Sequence, residues 1–320
     1  MSEPENDASH GAIRSDAEAS GFEVAREGEM AQAADYRNRY GEWALVVGAS
    51  EGLGEAMARD LARRGMNVAM VARGEVKLRA AAERVAAEFG VETRPIPADL
   101  AAPDVLDVLV KGLDGREVGF LIYNCAAENG GEFIAQDLER HLANIRVNCM
   151  APTILVHHFA REMVNRGRGG IVVCSSLAGV QGLYSWVSYG ASKAYEMILG
   201  EGLWYELQHH GVGAATLMVG STYTPNFQRS QQARNATFAK SRIPEGLAPG
   251  APIPQEPDEA SANLFAQLDK EWIPLIYANP ADEAAARIQG ELSRAEKIAR
   301  ISDPMRASFK AHEASLGKGS

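Results

Sequence analysis

The chain counts 320 residues, 46% apolar and 23% charged, and carries a formal net charge of −10. Those proportions suit one large or two small folded domains and exclude fibrous or wholly disordered architectures. No apolar run approaches the roughly 18 residues a spanning helix needs, and no Lys/Arg stripe interleaved with aromatics marks a nucleic-acid or anionic-membrane binder, so neither is an expected partner.

The start, MSEPENDASHGAIRSDAEASGFEVAREGE, is acidic where a secretory leader is basic and then apolar, which predicts a cytoplasmic protein. Nine acids between Glu3 and Asp35 face only Arg14 and Arg26, and no apolar period offers a face to bury, so residues 1–35 read as a flexible acidic tail. From Tyr40 short apolar runs alternate with amphipathic stretches: 43–47, 52–64, 67–71, 75–89 and 91–97, a βαβαβ succession. The rhythm continues through a helix over 103–113, a strand over 118–124, a long helix over 137–166, a strand over 171–175, a helix over 188–209 and a strand over 212–219. Strands separated by helices need crossovers, and crossovers give a parallel sheet covered on both faces, so GIVVC and NVAMV are apolar almost throughout. The expected class is α/β, a doubly wound parallel sheet.

Past Pro225 the rhythm weakens. Pro244, Pro249, Pro252, Pro254 and Pro257 describe a long irregular insertion, 226–275, expected to act as a substrate lid. Inside it Leu264, Phe265, Leu268 and Trp272 recur at helical spacing, which fits either packing against the core or an apolar cover over a ligand. Asn279-Pro280 has the form of an N-cap followed by proline at the first helical position, opening a helix to about residue 293. No apolar run after it marks a last strand; the domain is expected to end near residue 300, with 301–320 as a tail. Cys125, Cys149 and Cys174 are widely spaced among apolar neighbours and read as reduced core residues. The pairs His157-His158 and His209-His210 point about 100° apart on a helix, so no metal site is expected.

The first strand runs into Gly48-Ala49-Ser50-Glu51-Gly52-Leu53-Gly54, and a helix follows at once. Glycines placed there let a pyrophosphate approach the backbone, while the helix start adds positive potential; a tight structural turn is the plainer account. At the end of the second strand a carboxylate would hold an adenosine ribose and repel a 2′-phosphate, but the sequence has Val71-Ala72-Arg73. Arg73, supported by the Ser50 hydroxyl, offers a planar cation to a phosphate and favours NADP(H) over NAD(H), unless it simply faces solvent. Tyr189-Gly190-Ala191-Ser192-Lys193 opens the late helix, and residues four apart share one helix face. Ser176 stands thirteen residues upstream of Tyr189, and Asn148 lies on the preceding long helix.

In this order the residues resemble the short-chain dehydrogenase/reductase family, over about residues 40–226. The resemblance implies a single Rossmann-like domain whose glycine motif is Gly48, Gly52 and Gly54, with Ser50, Glu51 and Leu53 between them. It implies further cofactor contacts at Arg73, at Asp99 and Leu100 near the adenine, at Asn124, and at Gly220, Thr222 and Thr224 near the nicotinamide. Asn148, Ser176, Tyr189 and Lys193 match the catalytic tetrad, with Tyr189 and Lys193 also touching the cofactor. Family members pair their long helices, which implies a homodimer or homotetramer.

The chemistry explains those residue types. Reducing a carbonyl builds negative charge on oxygen, which donors already in place must meet. Tyr189 would deliver the proton, and the Lys193 cation favours its phenolate and moves the couple toward the working range. Ser176 would hold the carbonyl oxygen, and Asn148 a water linking the lysine to solvent, as the resemblance implies. The chain departs from the family pattern at Val47, where a threonine is usual, at Tyr123-Asn124-Cys125-Ala126 in place of Asn-Asn-Ala-Gly, and at Val219-Gly220 in place of Pro-Gly.

YGEWALVVGASEGLGEAM, GMNVAMVARGEVKL and LMVGSTYTP look like a branch containing bacterial 7β-hydroxysteroid dehydrogenases and, further off, long-chain 3-oxoacyl-thioester reductases. Leu183, Tyr184, Trp186, Tyr223 and Phe227 would form an aromatic rim suited to a bulky hydrophobic ketone or alcohol, or else serve subunit packing. The expected activity is therefore NADP(H)-dependent interconversion of such a ketone and its secondary alcohol. Reduction of a 3-oxoacyl thioester is the alternative within the family. A dinucleotide sensor without catalysis is the alternative of another class, against which the intact Ser176/Tyr189/Lys193 set argues.

Overall fold

Strands β1 (Trp43–Val47), β2 (Asn67–Ala72), β3 (Thr93–Pro97), β4 (Val118–Tyr123), β5 (Gly169–Ser176), β6 (Val212–Val219) and β7 (Leu275–Tyr277) form one sheet. Its order is β3-β2-β1-β4-β5-β6-β7, and every pairing is parallel. The structure, a computed structural model, describes residues 35–128, 130–225, 227–228, 254–283, 293, 300, 302–304 and 306–307. Of the expected acidic tail, 1–34 lie outside the described residues, as do 308–320 of the expected C-terminal tail; residues 35–40 are helical.

Side chains alternate between two cores. From β1, Ala44 and Val46 point to one face while Trp43, Leu45 and Val47 point to the other; β2 divides likewise into Val68 and Met70 against Ala69 and Val71. Both faces are covered, and this accounts for the nearly unbroken apolar runs. Helices α1 (Gly52–Arg63), α2 (Glu75–Phe89) and α7 (Pro257–Leu268) cover the first face. Helices α3 (Val105–Leu113), α5 (Ala151–Arg166) and α6 (Val187–Leu207) cover the second, and α4 (Leu138–Ile145) packs against α6.

Three expectations change. The long helix over 137–166 is not continuous: α4 and α5 are joined by one π-helical turn, Arg146–Met150. Pro152 in the first turn of α5 has no N–H to return to the carbonyl four residues back, which is that of Asn148, and the ladder widens there. A seventh strand exists, ahead of Asn279-Pro280 instead of after it; its three residues pair Thr216 with Leu275, Leu217 with Ile276 and Met218 with Tyr277. Three residues are too few to display a period.

The expected lid of 226–275 also narrows. Leu264, Phe265 and Leu268 are fully buried, so α7 belongs to the core, at roughly 1.5–3 kcal/mol for each such side chain. Phe265 joins an aromatic cluster with Tyr36, Tyr40, Phe120 and Trp272, in which Tyr40 and Phe120 meet edge-on at 5.0 Å. Residues 226 and 229–253 of that insertion lie outside the described residues. The helix expected at Asn279-Pro280 does begin at Pro280, with Asn279 Oδ1 accepting the Ala281 N–H at 3.0 Å; its continuation through 284–292 lies outside the described residues.

Candidate active site

Strand order reverses between β1 and β4, so their carboxyl ends open a crevice, and the glycine turn sits in its mouth. Gly48 leaves β1 with φ +87°, its N–H on Val71 O at 2.8 Å. A Cβ at Gly48 would lie 3.0 Å from Asn124 O, one at Gly54 only 2.0 Å from Gly48 O, and one at Gly52 (φ +62°) 2.9 Å from Thr224 Cγ2. The turn after β1, the segment after β4 and the segment after β6 therefore converge. Asn124 is tied in further by its N–H on Val47 O at 2.9 Å.

The first N–H groups of α1 have no acceptor within their helix and carry its positive end, so the crevice suits a pyrophosphate both in shape and in charge. Ser50 lies half-buried in the turn. Glu51 is the N-cap residue but turns its carboxylate to Lys77 at 3.0 Å, and Leu53 buries its side chain in the core, leaving its backbone to the crevice. Arg73 is exposed just past β2. Asp99 is exposed past β3, with Oδ1 accepting the Ala101 N–H at 3.1 Å, and Leu100 beside it is buried. Gly220 lies against Asp282, whose Oδ2 would be 2.4 Å from a Cβ there. Thr222 is buried and bridges Gln255.

Ser176, Tyr189 and Lys193 meet at the carboxyl end of β5, and Asn148 reaches the same helix at Ser192. Ser176 Oγ accepts the Ala178 N–H at 3.2 Å, and the side chain hydrogen-bonds that of Tyr189. Lys193 Nζ stands 5.8 Å from the centre of the Tyr189 ring and donates to Cys174 O at 3.0 Å and Glu196 Oε2 at 2.6 Å. Asn148 faces four partners: its Oδ1 accepts the Ala127 N–H at 2.8 Å, and its Nδ2 lies 2.9 Å from each of Ala127 O, Asn144 Oδ1 and Ser192 Oγ. The π-helical turn thus clamps the segment after β4 to α6.

Backbone fit brings the serine to the tyrosine. A Cβ at Gly179 would sit 2.6 Å from Lys193 C, so the turn after β5 lies directly on the α6 backbone, where Ser175 Oγ also donates to Lys193 O at 2.6 Å. Sequence reasoning did not single out Asn144, Ser175, Gly179, Ser192 or Glu196. Only Glu196 left a signal: it follows Lys193 by three positions, on the same helix face.

Lys193 acts on Tyr189 in the expected direction, yet the phenol stays above its ordinary range. Burial is the largest cause; Lys193 and the Ser176 hydrogen bond pull it down, while Glu128 and Glu196 push it up. For Lys193 burial disfavours the charge, but Glu196 and Tyr189 more than restore it, so the ammonium is held above its usual value. Glu196 itself is pushed up to about 7 by burial, against the attraction of Lys193. The Trp186 and Tyr189 rings meet at 5.3 Å, so an aromatic side chain stands beside the phenol, and after β6 Tyr223 and Phe227 pair edge-on at 6.2 Å.

A doubly wound sheet with a glycine crevice beside a Ser–Tyr–Lys group defines a nucleotide-binding oxidoreductase. The short chain dehydrogenase profile matches residues 42–235. A 7β-hydroxysteroid dehydrogenase of Clostridium sardiniense is 33% identical over 213 residues, which cover 67% of this chain and 82% of that protein. A solved 7β-hydroxysteroid dehydrogenase superposes with a TM-score of 0.73 at 28% identity, over 83% of this chain and 98% of the other. A short-chain dehydrogenase of Sphingobium yanoikuyae in complex with NADPH gives 0.65 at 28% identity, over 79% and 96%. The chain belongs to the short-chain dehydrogenase/reductase family, in a branch like the 7β-hydroxysteroid dehydrogenases. Among the described residues no helix is long and apolar enough to cross a membrane.

Proposed function

We propose that the protein interconverts a bulky hydrophobic ketone and its secondary alcohol with NADP(H), as a hydroxysteroid dehydrogenase does. The observation that carries this reading is the convergence of Ser176 and Lys193 on the Tyr189 side chain. NADP(H), when bound, supplies or accepts the hydride. Gly48, Ser50, Glu51, Gly52, Leu53 and Gly54 would hold the pyrophosphate end, the first-turn N–H groups acting as donors. Asp99 and Leu100 would border the adenine, and Asn124, Gly220, Thr222 and Thr224 the nicotinamide end. Arg73 supports the phosphorylated cofactor, because no carboxylate stands at that position to repel a 2′-phosphate.

Tyr189 gives its proton to the carbonyl oxygen as negative charge builds there, and Ser176 steadies that oxygen. The Lys193 ammonium lowers the cost of the resulting phenolate. Asn148 keeps the segment after β4 in register with α6. Trp186 beside the phenol, and the Tyr223–Phe227 pair after β6, would favour an apolar substrate. Leu138, Ile145, Met150, Ile198 and Tyr205 are exposed on α4, the π turn and α6, which supports pairing of these helices in a homodimer or homotetramer.

The test is a panel of steroid and other bulky ketones with NADPH and NADH side by side, followed by absorbance of the reduced nicotinamide. NADPH oxidation by bulky ketones is expected, with Tyr189→Phe abolishing turnover while NADPH still binds. Retained activity in that variant overturns the mechanism. Activity that tracks acyl length would favour a 3-oxoacyl-thioester reductase, and binding without oxidation across the panel a dinucleotide sensor.

A further inference from the structure

One helical turn beyond Lys193 lies a carboxylate for which the proposed reaction has no use. Glu196 is 0% exposed, its Oε2 is paired with Lys193 Nζ at 2.6 Å, and its Oε1 is buried with no hydrogen-bond partner. The elements packed around it present neutral acids: Tyr123 from β4, Cys125 just past that strand, Cys149 from the π turn, Cys174 from β5 and Tyr189 from α6. Lys193 is the cation that faces it. A buried carboxylate with one oxygen unsatisfied costs stability that an apolar side chain of similar volume would not. Packing therefore gives no reason for an acid at this position, whereas its contact with Lys193 does.

An ammonium alone beside a phenol favours the phenolate. An ammonium with a carboxylate on its far side presents a partly cancelled field, and the phenol keeps its proton to higher pH. Of the three N–H groups on Lys193, one is committed to Cys174 O and one to Glu196, which leaves the third for the tyrosine side. We propose that Glu196 is a positioning residue that anchors Lys193 Nζ beneath Tyr189 and, through its negative charge, keeps the phenol protonated to higher pH than Lys193 alone would allow. Carbonyl reduction consumes that proton, so Glu196 extends the reductive direction toward alkaline pH. Burial pushes the Glu196 carboxyl up, the Lys193 ammonium pulls it back, and its charge is present on the alkaline side, where the phenol releases its proton. Its relevance to catalysis rests on the function proposed above; the titration of the phenol does not.

The experiment follows phenolate absorbance of the full chain against pH, with the Tyr189→Phe titration subtracted to isolate Tyr189, in the wild type and in Glu196→Gln. Glu128 faces the same phenol with the same sign and stays in place, so the Tyr189 midpoint is expected to fall in the variant by no more than about one pH unit. The alkaline limb of kcat/KM for ketone reduction should move in the same direction. Glu196→Met fills the same volume without charge, predicts the same shift and serves if the glutamine variant does not fold, while Glu196→Asp should return the midpoint toward the wild type. An unchanged midpoint in a folded, uncharged variant overturns the inference, as does one that rises. A shifted midpoint in a protein that turns over no ketone upholds the inference and removes the proposed reaction instead; turnover with an unshifted midpoint does the reverse.

Discussion

Around the turn after β1 the tightest approach is backbone to backbone, the Gly54 position against the Gly48 carbonyl; Gly48 likewise lies against the Asn124 carbonyl, and Gly52 against the Thr224 side chain. Around the end of β5 the Gly179 turn also rests on the α6 backbone, but the polar groups are held by side-chain contacts, with Asn148 reaching Ala127, Asn144 and Ser192, and Lys193 reaching Cys174 and Glu196. The crevice is thus defined by atoms that are missing, the catalytic cluster by atoms that are present. It follows that the crevice fails when one carbon is added, and the cluster fails when one partner is removed.

The largest effect is expected from the smallest addition. In Gly54→Ala the new methyl would meet the Gly48 carbonyl oxygen at 2.0 Å and its carbon at 2.7 Å, backbone atoms that cannot rotate clear, with the Asn124 side chain close beside them. The loss of stability should be on the order of 3 kcal/mol or more, read from urea unfolding, and NADPH fluorescence enhancement should disappear. A variant that binds NADPH normally would show that this turn can open, and the contrast with the catalytic end would vanish.

Asn148→Ala tests the other region. It leaves the Ala127 N–H and carbonyl, Asn144 and Ser192 without their shared partner in a buried setting, which should cost about 2 kcal/mol. NADPH should still bind, because the glycine turn is untouched, while kcat falls with KM little changed. A fall in NADPH affinity equal to the fall in kcat would mean that the two regions are one mechanical unit.

The same contrast explains what could be read in the sequence. The glycine turn and the Tyr189/Lys193 pair were legible because each needs particular residue types at fixed spacing, and β6 was legible from eight consecutive residues, Val212–Val219. Strand β7 was not, since three residues next to Pro274 show no alternation. Helix α7 was obscured by the prolines before it, although Leu264, Phe265 and Leu268 already had core spacing. Glu196 escaped notice for a different reason. A charged residue in a helix reads as a solvated one, and only the sheet packed over α6 reveals that this acid is inside.

Arg73 lies outside both regimes, exposed at the end of β2, and should therefore give the smallest structural effect with the sharpest change in selectivity. Arg73→Glu is expected to alter stability by no more than about 0.5 kcal/mol, so thermal melting should barely move. The KM for NADPH should nevertheless rise by about tenfold or more, since a charge-assisted contact to the 2′-phosphate is replaced by repulsion. NADH, whose ribose hydroxyls a carboxylate can accept from, should become the better cofactor. If the NADPH to NADH ratio of kcat/KM is unchanged, Arg73 faces solvent and selects nothing. A preference for NADPH in the wild type would then require another group at the crevice, and the turn holding Ser50 is the nearest candidate.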